Sequence, residues 1–356
     1  MITEHTKVLE DNLLETVASS ASVSHTVSDI IDKSQAPAFI DASLPSSVTP
    51  LSHTHLAQKH YYPSNYYDHY HPYIENKPAS LAVEAAVAIV INGVHYAVLM
   101  ASPYQLEYLA VGFLFSEGLI EYSHELLDWE VTQLTDTTNY EGFIQGSIDK
   151  NSETEIFEQS EILEQSLAQL QDYDVYIVEL VLNQRCHQRI QAQKRQLAGR
   201  TGCGMCGMTG LTQALPDLSA YHQKRQYVKD FVPHLSYLLS IRQRVDTMQH
   251  THQLTGAVHA AATMQGDDLY LFEDVGRHNA LDKLIGWQLR NKMEVECVLM
   301  TSRLSIELVQ KSIRSRIPWL VGMSAPTSTA VRVAERYGLG LAGFLRDNRV
   351  TYYSGI

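Results

Sequence analysis

Gly199-Arg200-Thr201-Gly202-Cys203-Gly204-Met205-Cys206-Gly207 sets two thiols in a C-x-x-C among four glycines. Glycine leaves the backbone free to move and shields its neighbours poorly, so a thiol here can visit more than one partner. Arg200, with Lys194 and Arg195 close in sequence, favours thiolate over thiol, and thiolate is the nucleophile. Three chemistries use such a pair. A structural zinc site needs four ligands, and no second C-x-x-C or zinc-spaced His pair follows, although Cys186-His187 and Cys297 could contribute. A thioredoxin-like redox pair belongs at a helix N-terminus in a βαβ unit, and the glycines disfavour an immediate helix. A sulfur-relay loop, which accepts sulfur from a donor's persulfide and passes it on, suits the exposure and flexibility better. Spacing alone leaves all three open.

Two further segments carry polar chemistry. Phe344-Leu345-Arg346-Asp347-Asn348-Arg349 follows an apolar strand-like run and holds two arginines within one turn. Guanidinium groups so placed can fork onto phosphate oxygens, each charge-assisted bond contributing about 1.5–3 kcal/mol. The alternative is a solvated surface turn. Gly276-Arg277-His278-Asn279 lies between a strand-like and a helix-like run, where backbone N–H groups can receive an anion. A lone histidine such as His278 is more commonly a satisfied capping residue. Five histidines stand among tyrosines from His53 to His71, and nothing in their spacing fixes a metal geometry.

The elements that must position these residues read as follows. Residues 1 to about 80 lack sustained periodicity and are rich in Ser, Thr, His and Tyr, which predicts a poorly ordered extension. Ala86–Ile91 and Val94–Met100 flank Asn92-Gly93 and predict a hairpin. Ser102-Pro103 reads as an N-cap followed by proline at the first position of a helix running to about Glu117, with Gly118 as its left-handed stop. Residues 136–164, polar and acidic, read as an insertion or long loop, and Val175–Leu182 as a strand. From Leu269 onward strands and helices alternate, which predicts an α/β layer with a largely parallel sheet. Ligands of such sheets gather at the carboxyl ends of the strands.

Charge divides along the chain. Residues 1–180 carry 5 Lys and Arg against 27 Asp and Glu, a balance of −22, whereas residues 181–356 carry 22 against 13, a balance of +9. A basic half suits an anionic ligand. It would also suit nucleic acid, but no nucleic-acid-binding motif is recognisable. No run of about 18 uncharged apolar residues exists to span a membrane. The first residues, MITEHTKVLEDN, do not resemble a secretory signal, and four cysteines suit a reducing cytoplasm in which thiols do chemistry.

The string LAGRTGCGMCG closely resembles the cysteine loop of the formate dehydrogenase accessory sulfurtransferases, the FdhD family. VAIVINGVHYAVLMASPYQLEYLAVGFLFSEGLI resembles that family's N-terminal hairpin and helix, and LTGAVHAAA, EDVGRHNALDKLIG, ELVQKSIR, SAPTSTAV and LAGFLR follow in the family's order. The resemblance spans about residues 81–354. It implies an α/β fold, α+β overall. A smaller N-terminal α+β domain would occupy residues 81–200, after an extension over 1–80. A cytidine-deaminase-like C-terminal domain would occupy 201–356, with the cysteine loop at the junction.

It also implies that Cys203 bears a persulfide taken from a cysteine desulfurase, with Cys206 as partner thiol. The sulfur would pass to molybdenum held by bis-molybdopterin guanine dinucleotide, a cargo destined for formate dehydrogenase, with no structural metal in the carrier. The family's cofactor-binding stretch falls on Phe344, Leu345, Arg346, Asp347, Asn348 and Arg349, where Asp347-Asn348 replaces a Pro-Gly-like turn. A homodimer is implied as well. The competing function is a chaperone that holds and inserts the cofactor without touching its sulfur. Deamination is disfavoured: Ala261 stands where an H-x-E motif beginning at His259 would need its glutamate, and Ser324-Ala325-Pro326-Thr327 offers no cysteine ligands.

Overall fold

The computed structural model describes residues 51–61, 73–135, 173–186, 188, 190, 215–222 and 231–356. Ser47–Ile356 form one compact unit. At its start Ser52–Tyr61 (β1) and Tyr73–Ala82 (β2) pair antiparallel over ten residues each. This differs from the extension expected over residues 1–80. The ribbon's side chains are mostly exposed, so it offers little of the apolar periodicity by which a strand is recognised.

Ala85–Ile91 (β3) and Val94–Ala101 (β4) form the expected hairpin, with Asn92 at φ 49° and Gly93 at φ 73°. Those positive values match the strand twist and suit Asn-Gly. Leu106–Ser116 (α1) follows, then Leu126–Leu134 (β5) and Val175–Leu182 (β6). The sheet order is β4-β3-β6-β5, with β3 and β6 parallel. The helix begins later than the sequence suggests. Ser102 does not cap it, because the polar groups of Ser102 are engaged by distant residues, and Gln105 takes a left-handed φ of 55° before Leu106.

Leu235–Met248 (α2) and His250–Thr255 (α3) precede a six-stranded sheet. Its strands are His259–Gln265 (β7), Asp268–Asp274 (β8), Cys297–Met300 (β9), Trp319–Gly322 (β10), Gly340–Arg346 (β11) and Arg349–Ser354 (β12), in the order β12-β11-β10-β9-β7-β8. β9, β10 and β11 are parallel, and β8 shares their direction because β7 opposes both β8 and β9. Four of six strands therefore point one way, as the alternating pattern predicts. Arg277–Asn291 (α4), Ile306–Arg314 (α5) and Ser328–Tyr337 (α6) supply the connections.

Strand alternation sorts side chains between two cores. Val298, Met300, Leu320 and Leu341 join one core with α4, α5, α6 and α1. Cys297, Leu299, Trp319, Val321 and Ala342 join another with Leu238, Ile241 and Val245 of α2. The first core also contains Val87, Ile89 and Val178 of the N-terminal sheet, so one apolar mass joins the two sheets.

The helices α1 and α4 cross at that junction through two glycines. A Cβ on Gly112 would lie 1.8 Å from the Asp282 carbonyl oxygen, and one on Gly286 would lie 1.9 Å from that of Tyr108. Alanine gains about 1 kcal/mol of helix propensity over glycine. Here the overlap is with backbone, which yields only if the helices separate. Gly112→Ala should therefore lose at least about 2 kcal/mol in chemical denaturation; a variant as stable as the parent would contradict backbone-to-backbone packing at this crossing.

Candidate functional site

The carboxyl ends of β8, β9, β10 and β11 bring Asp274, Met300, Gly322 and Arg346 to one edge, and the antiparallel β7 starts there with His259 opposite Asp274. The edge is assembled around a fully buried ion pair. Lys283 Nζ lies 2.7 Å from Asp274 Oδ2 and donates also to the carbonyls of Glu273 (3.1 Å) and Ser102 (3.2 Å), which uses its three protons. Asp274 in turn accepts from the backbone N–H of Ser102 (3.1 Å) and Gly276 (2.8 Å) and from Asn279 Nδ2 (2.9 Å). Asn279 Nδ2 also donates to the Met100 carbonyl at 2.8 Å, and Ser102 Oγ accepts from Val275 N at 3.1 Å. The polar turn before α4 is thus sewn to the end of β4. Its residues looked from sequence like ligand groups, and the structure engages several of them internally.

Sequence reasoning missed Asp274 and Lys283 as a pair, although both stand in EDVGRHNALDK. A carboxylate and an ammonium on the apolar faces of a strand and a helix were the available signal, since charges are buried only when paired. A second pair repeats the device: Lys311 Nζ reaches both oxygens of Asp282 at 2.9 and 2.8 Å, and Ser116 Oγ donates to Oδ1 at 2.7 Å. Burial raises the Asp282 carboxyl pKa while Lys311 opposes that shift.

Cations gather on the solvent side of the edge. His259 is held below its usual pKa, first by burial and then by Arg277, His252 and Arg303. His278 is lowered to about 4, mainly by burial, with Lys311 and Arg277 adding to it and Glu307 opposing it. Its Nε2 lies 3.5 Å from Ser305 Oγ, so the group is a neutral, half-buried neighbour of the α5 N-terminus.

Of the six residues expected to bind cofactor, the structure separates two kinds. Leu345 is fully buried in the second core, and its side chain anchors the strand. Phe344, Arg346, Asp347, Asn348 and Arg349 are exposed. Phe344 has φ 52°, rare for an aromatic residue, at an irregularity in the β11–β12 ladder. Arg346 and Arg349 are direct cross-strand partners. Like charges set opposite each other are mildly unfavourable in a sheet, and here both side chains are exposed to solvent. Arg346 Nη1 donates to the carbonyls of Met323 (2.6 Å) and Leu345 (2.9 Å). That grip directs the guanidinium and leaves its Nε–Nη2 edge, which forks onto an oxyanion, without a partner among the described residues. Asp347 is gripped by Arg242 of α2 at 3.0 Å.

A cleft of about 360 Å³ is lined by Asp246, Gln249, His252 and residues 256–259, from the end of α2 through α3 to the start of β7, together with Thr301 and Met323, whose carbonyl holds Arg346 of this turn. Cys203 and Cys206 lie outside the described residues. Cys186 and Cys297 are in no disulfide and are buried, and burial pushes the Cys297 thiol far up, so neither is an exposed nucleophile. Among the described residues no cluster of three or more His, Cys, Asp or Glu is placed to hold a metal ion, and no helix is long and apolar enough to cross a membrane.

Residues 82–356 match the model of the FdhD/NarQ family. The chain belongs to the FdhD/NarQ family. Relatives include proteins named sulfur carrier protein FdhD from Shewanella oneidensis, 34% identical over 77% of this chain and 84% of theirs, and from Acinetobacter baylyi, 33% identical over 76% and 85%. A solved structure described as a formate dehydrogenase accessory protein from Desulfotalea psychrophila is similar in fold, with a TM-score of 0.51 at 20% identity, covering 86% of this chain and 97% of that one. The FdhD/NarQ match begins at the last residue of β2, so the β1–β2 ribbon stands before the family core.

The electrostatics give a pH prediction. His278 binds its proton less readily folded than unfolded, so folding stability is fully present above the unfolded pKa of 6.5 and falls as pH drops from there to about 4. His278→Gln should flatten that part of the stability curve, with His259 leaving a residual slope of the same sign. Urea denaturation from pH 7 to pH 4 measures it; an unchanged slope would show that His278 is solvated.

Proposed function

We propose that this protein carries sulfur on Cys203 as a persulfide and delivers it to molybdenum bound by bis-molybdopterin guanine dinucleotide, for formate dehydrogenase. Family membership and the names of the relatives support sulfur carriage, and the name of the structural neighbour supports the formate dehydrogenase link. The observation that carries the cargo assignment is the opposed pair Arg346 and Arg349 at the carboxyl edge of the parallel strands. Two exposed guanidinium groups opposed across one turn concentrate positive charge that an anion relieves, and a dinucleotide cofactor brings phosphates.

The chemistry follows from the residues. The Cys203 thiolate attacks the outer sulfur of a cysteine desulfurase persulfide; a new S–S bond forms and the donor cysteine leaves as thiolate. The Cys206 thiolate then attacks Cys203 sulfur. A Cys203–Cys206 disulfide forms and the outer sulfur leaves as hydrosulfide. On the cargo, hydrosulfide replaces an oxygen ligand of molybdenum, which departs as water on protonation. The oxidation state of molybdenum is unchanged, and the disulfide is re-reduced by cellular thiols, which places the cycle in a reducing cytoplasm. The Arg346–Arg349 turn holds the phosphates during transfer. We take the working form to be a homodimer.

Incubation with a desulfurase and cysteine, followed by mass spectrometry, should show one added sulfur atom on Cys203. Cys203→Ala should gain none and should leave formate dehydrogenase unactivated. Full activation by that variant would instead identify an insertion chaperone. Replacing Arg346 and Arg349 by alanine should weaken binding of the loaded cofactor at least about tenfold while sulfur loading of Cys203 stays normal.

A further inference from the structure

The arginine turn contains its own competitor for phosphate. Asp347 follows Arg346 directly and stands two residues before Arg349, and its side chain is 94% exposed. Arg346 and Arg349 are the cross-strand partners that close this turn. A carboxylate tethered between two guanidinium groups meets them at an effective concentration on the order of millimolar or above. It pairs with them through the same forked geometry that phosphate uses. Left to itself, Asp347 would occupy the place where the turn is to receive an anion.

Asp347 is not left to itself. Arg242 of α2 reaches it from outside the hairpin, with Nη1 3.0 Å from Oδ1. Arg242 is itself aimed: its Nε lies 3.6 Å from Oδ2 of Asp246, four residues further along α2, and its side chain is only 22% exposed. Among the described residues Asp347 pairs with neither arginine of its own turn, and Arg346 Nη1 is given instead to the carbonyls of Met323 and Leu345. An ion pair this exposed contributes little to folding stability, so its effect lies in where it places the charge. We propose that Arg242 is a positioning residue that draws the Asp347 carboxylate away from Arg346 and Arg349 and so keeps the turn open to the phosphates of the cargo. This deepens the cofactor reading above and rests on it. Without Arg242 the carboxylate turns back on its neighbours, and the turn is closed by its own chain.

A double-mutant cycle tests this, read by titration calorimetry of the full chain with inorganic pyrophosphate. Arg242→Met keeps the apolar stem and removes the charge. It should weaken pyrophosphate binding about fivefold, the most that a pair so exposed commands. Asp347→Asn should bind at least as tightly as the parent. In that background Arg242→Met should cost no more than about twofold, the share due to losing one cation outside the turn. Rescue by Asp347→Asn is the decisive result, because an Arg242 that merely braced α2 or attracted anions at a distance would cost the same in both backgrounds. Thermal melting confirms that each variant is folded. Equal losses in the two backgrounds, no loss from Arg242→Met, or a loss from Asp347→Asn alone as large as that from Arg242→Met overturns the proposal. Replacing Arg346 and Arg349 by alanine separates the two readings. If binding survives that change, or the parent binds no pyrophosphate, the phosphate reading falls and the role of Arg242 with it. If binding weakens while the cycle stays flat, only the role of Arg242 falls.

Discussion

An ammonium with no exposure to water sits where the end of β8 meets α4 and the end of β4. Lys283 and Asp274 are both fully buried, and each is surrounded by groups that complete its hydrogen bonding. Desolvating two charges costs several kcal/mol per ion, so the pair is tolerated only because every proton and lone pair is matched. Its partners come from the end of β4, the end of β8 and the start of α4. Those elements cannot drift apart without stranding a charge. The site edge inherits its geometry from that constraint: the turn bearing Arg277 and His278 begins at the residue after the Gly276 amide that Asp274 holds.

Around this fixed point the fold divides its labour. The Asp274–Lys283 pair is saturated by hydrogen bonds within the protein, and the arginine turn is exposed to solvent. Arg346 shows the division within one side chain: Nη1 is used to hold the strand end to Met323, and the opposite edge of the guanidinium faces outward. Arg242 does the same for α2, binding Asp347 while lying against Asp246. A site of this kind needs little rearrangement to receive a ligand, because protein contacts already direct its cations.

Much of the architecture was legible because it follows local rules. Asn92-Gly93 made the hairpin, Gly118 and Gly338 took the left-handed φ expected of helix stops, and the apolar runs from Leu269 onward alternated with helices as a parallel layer requires. What stayed hidden was long-range. Ser102 looks like an N-cap until Asp274, 172 residues away, takes its amide. The β1–β2 ribbon carries little apolar patterning, so composition pointed away from strands. At the site, the arginine turn was visible as charge in sequence. Leu345 was not separable from its neighbours until its burial was seen, and the cleft drew Asp246, Gln249 and His252 from helices that no motif marked.

The backbone contact at Gly112 and Gly286 bears on how the two sheets move. Helices separated by side chains can slide, because rotamers readjust as one ridge passes another. Two helices touching main chain to main chain have no such lubricant: a small translation drives a carbonyl into an α-carbon. The N-terminal sheet, riding on α1, is therefore geared rigidly to α4 and to the sheet edge behind it.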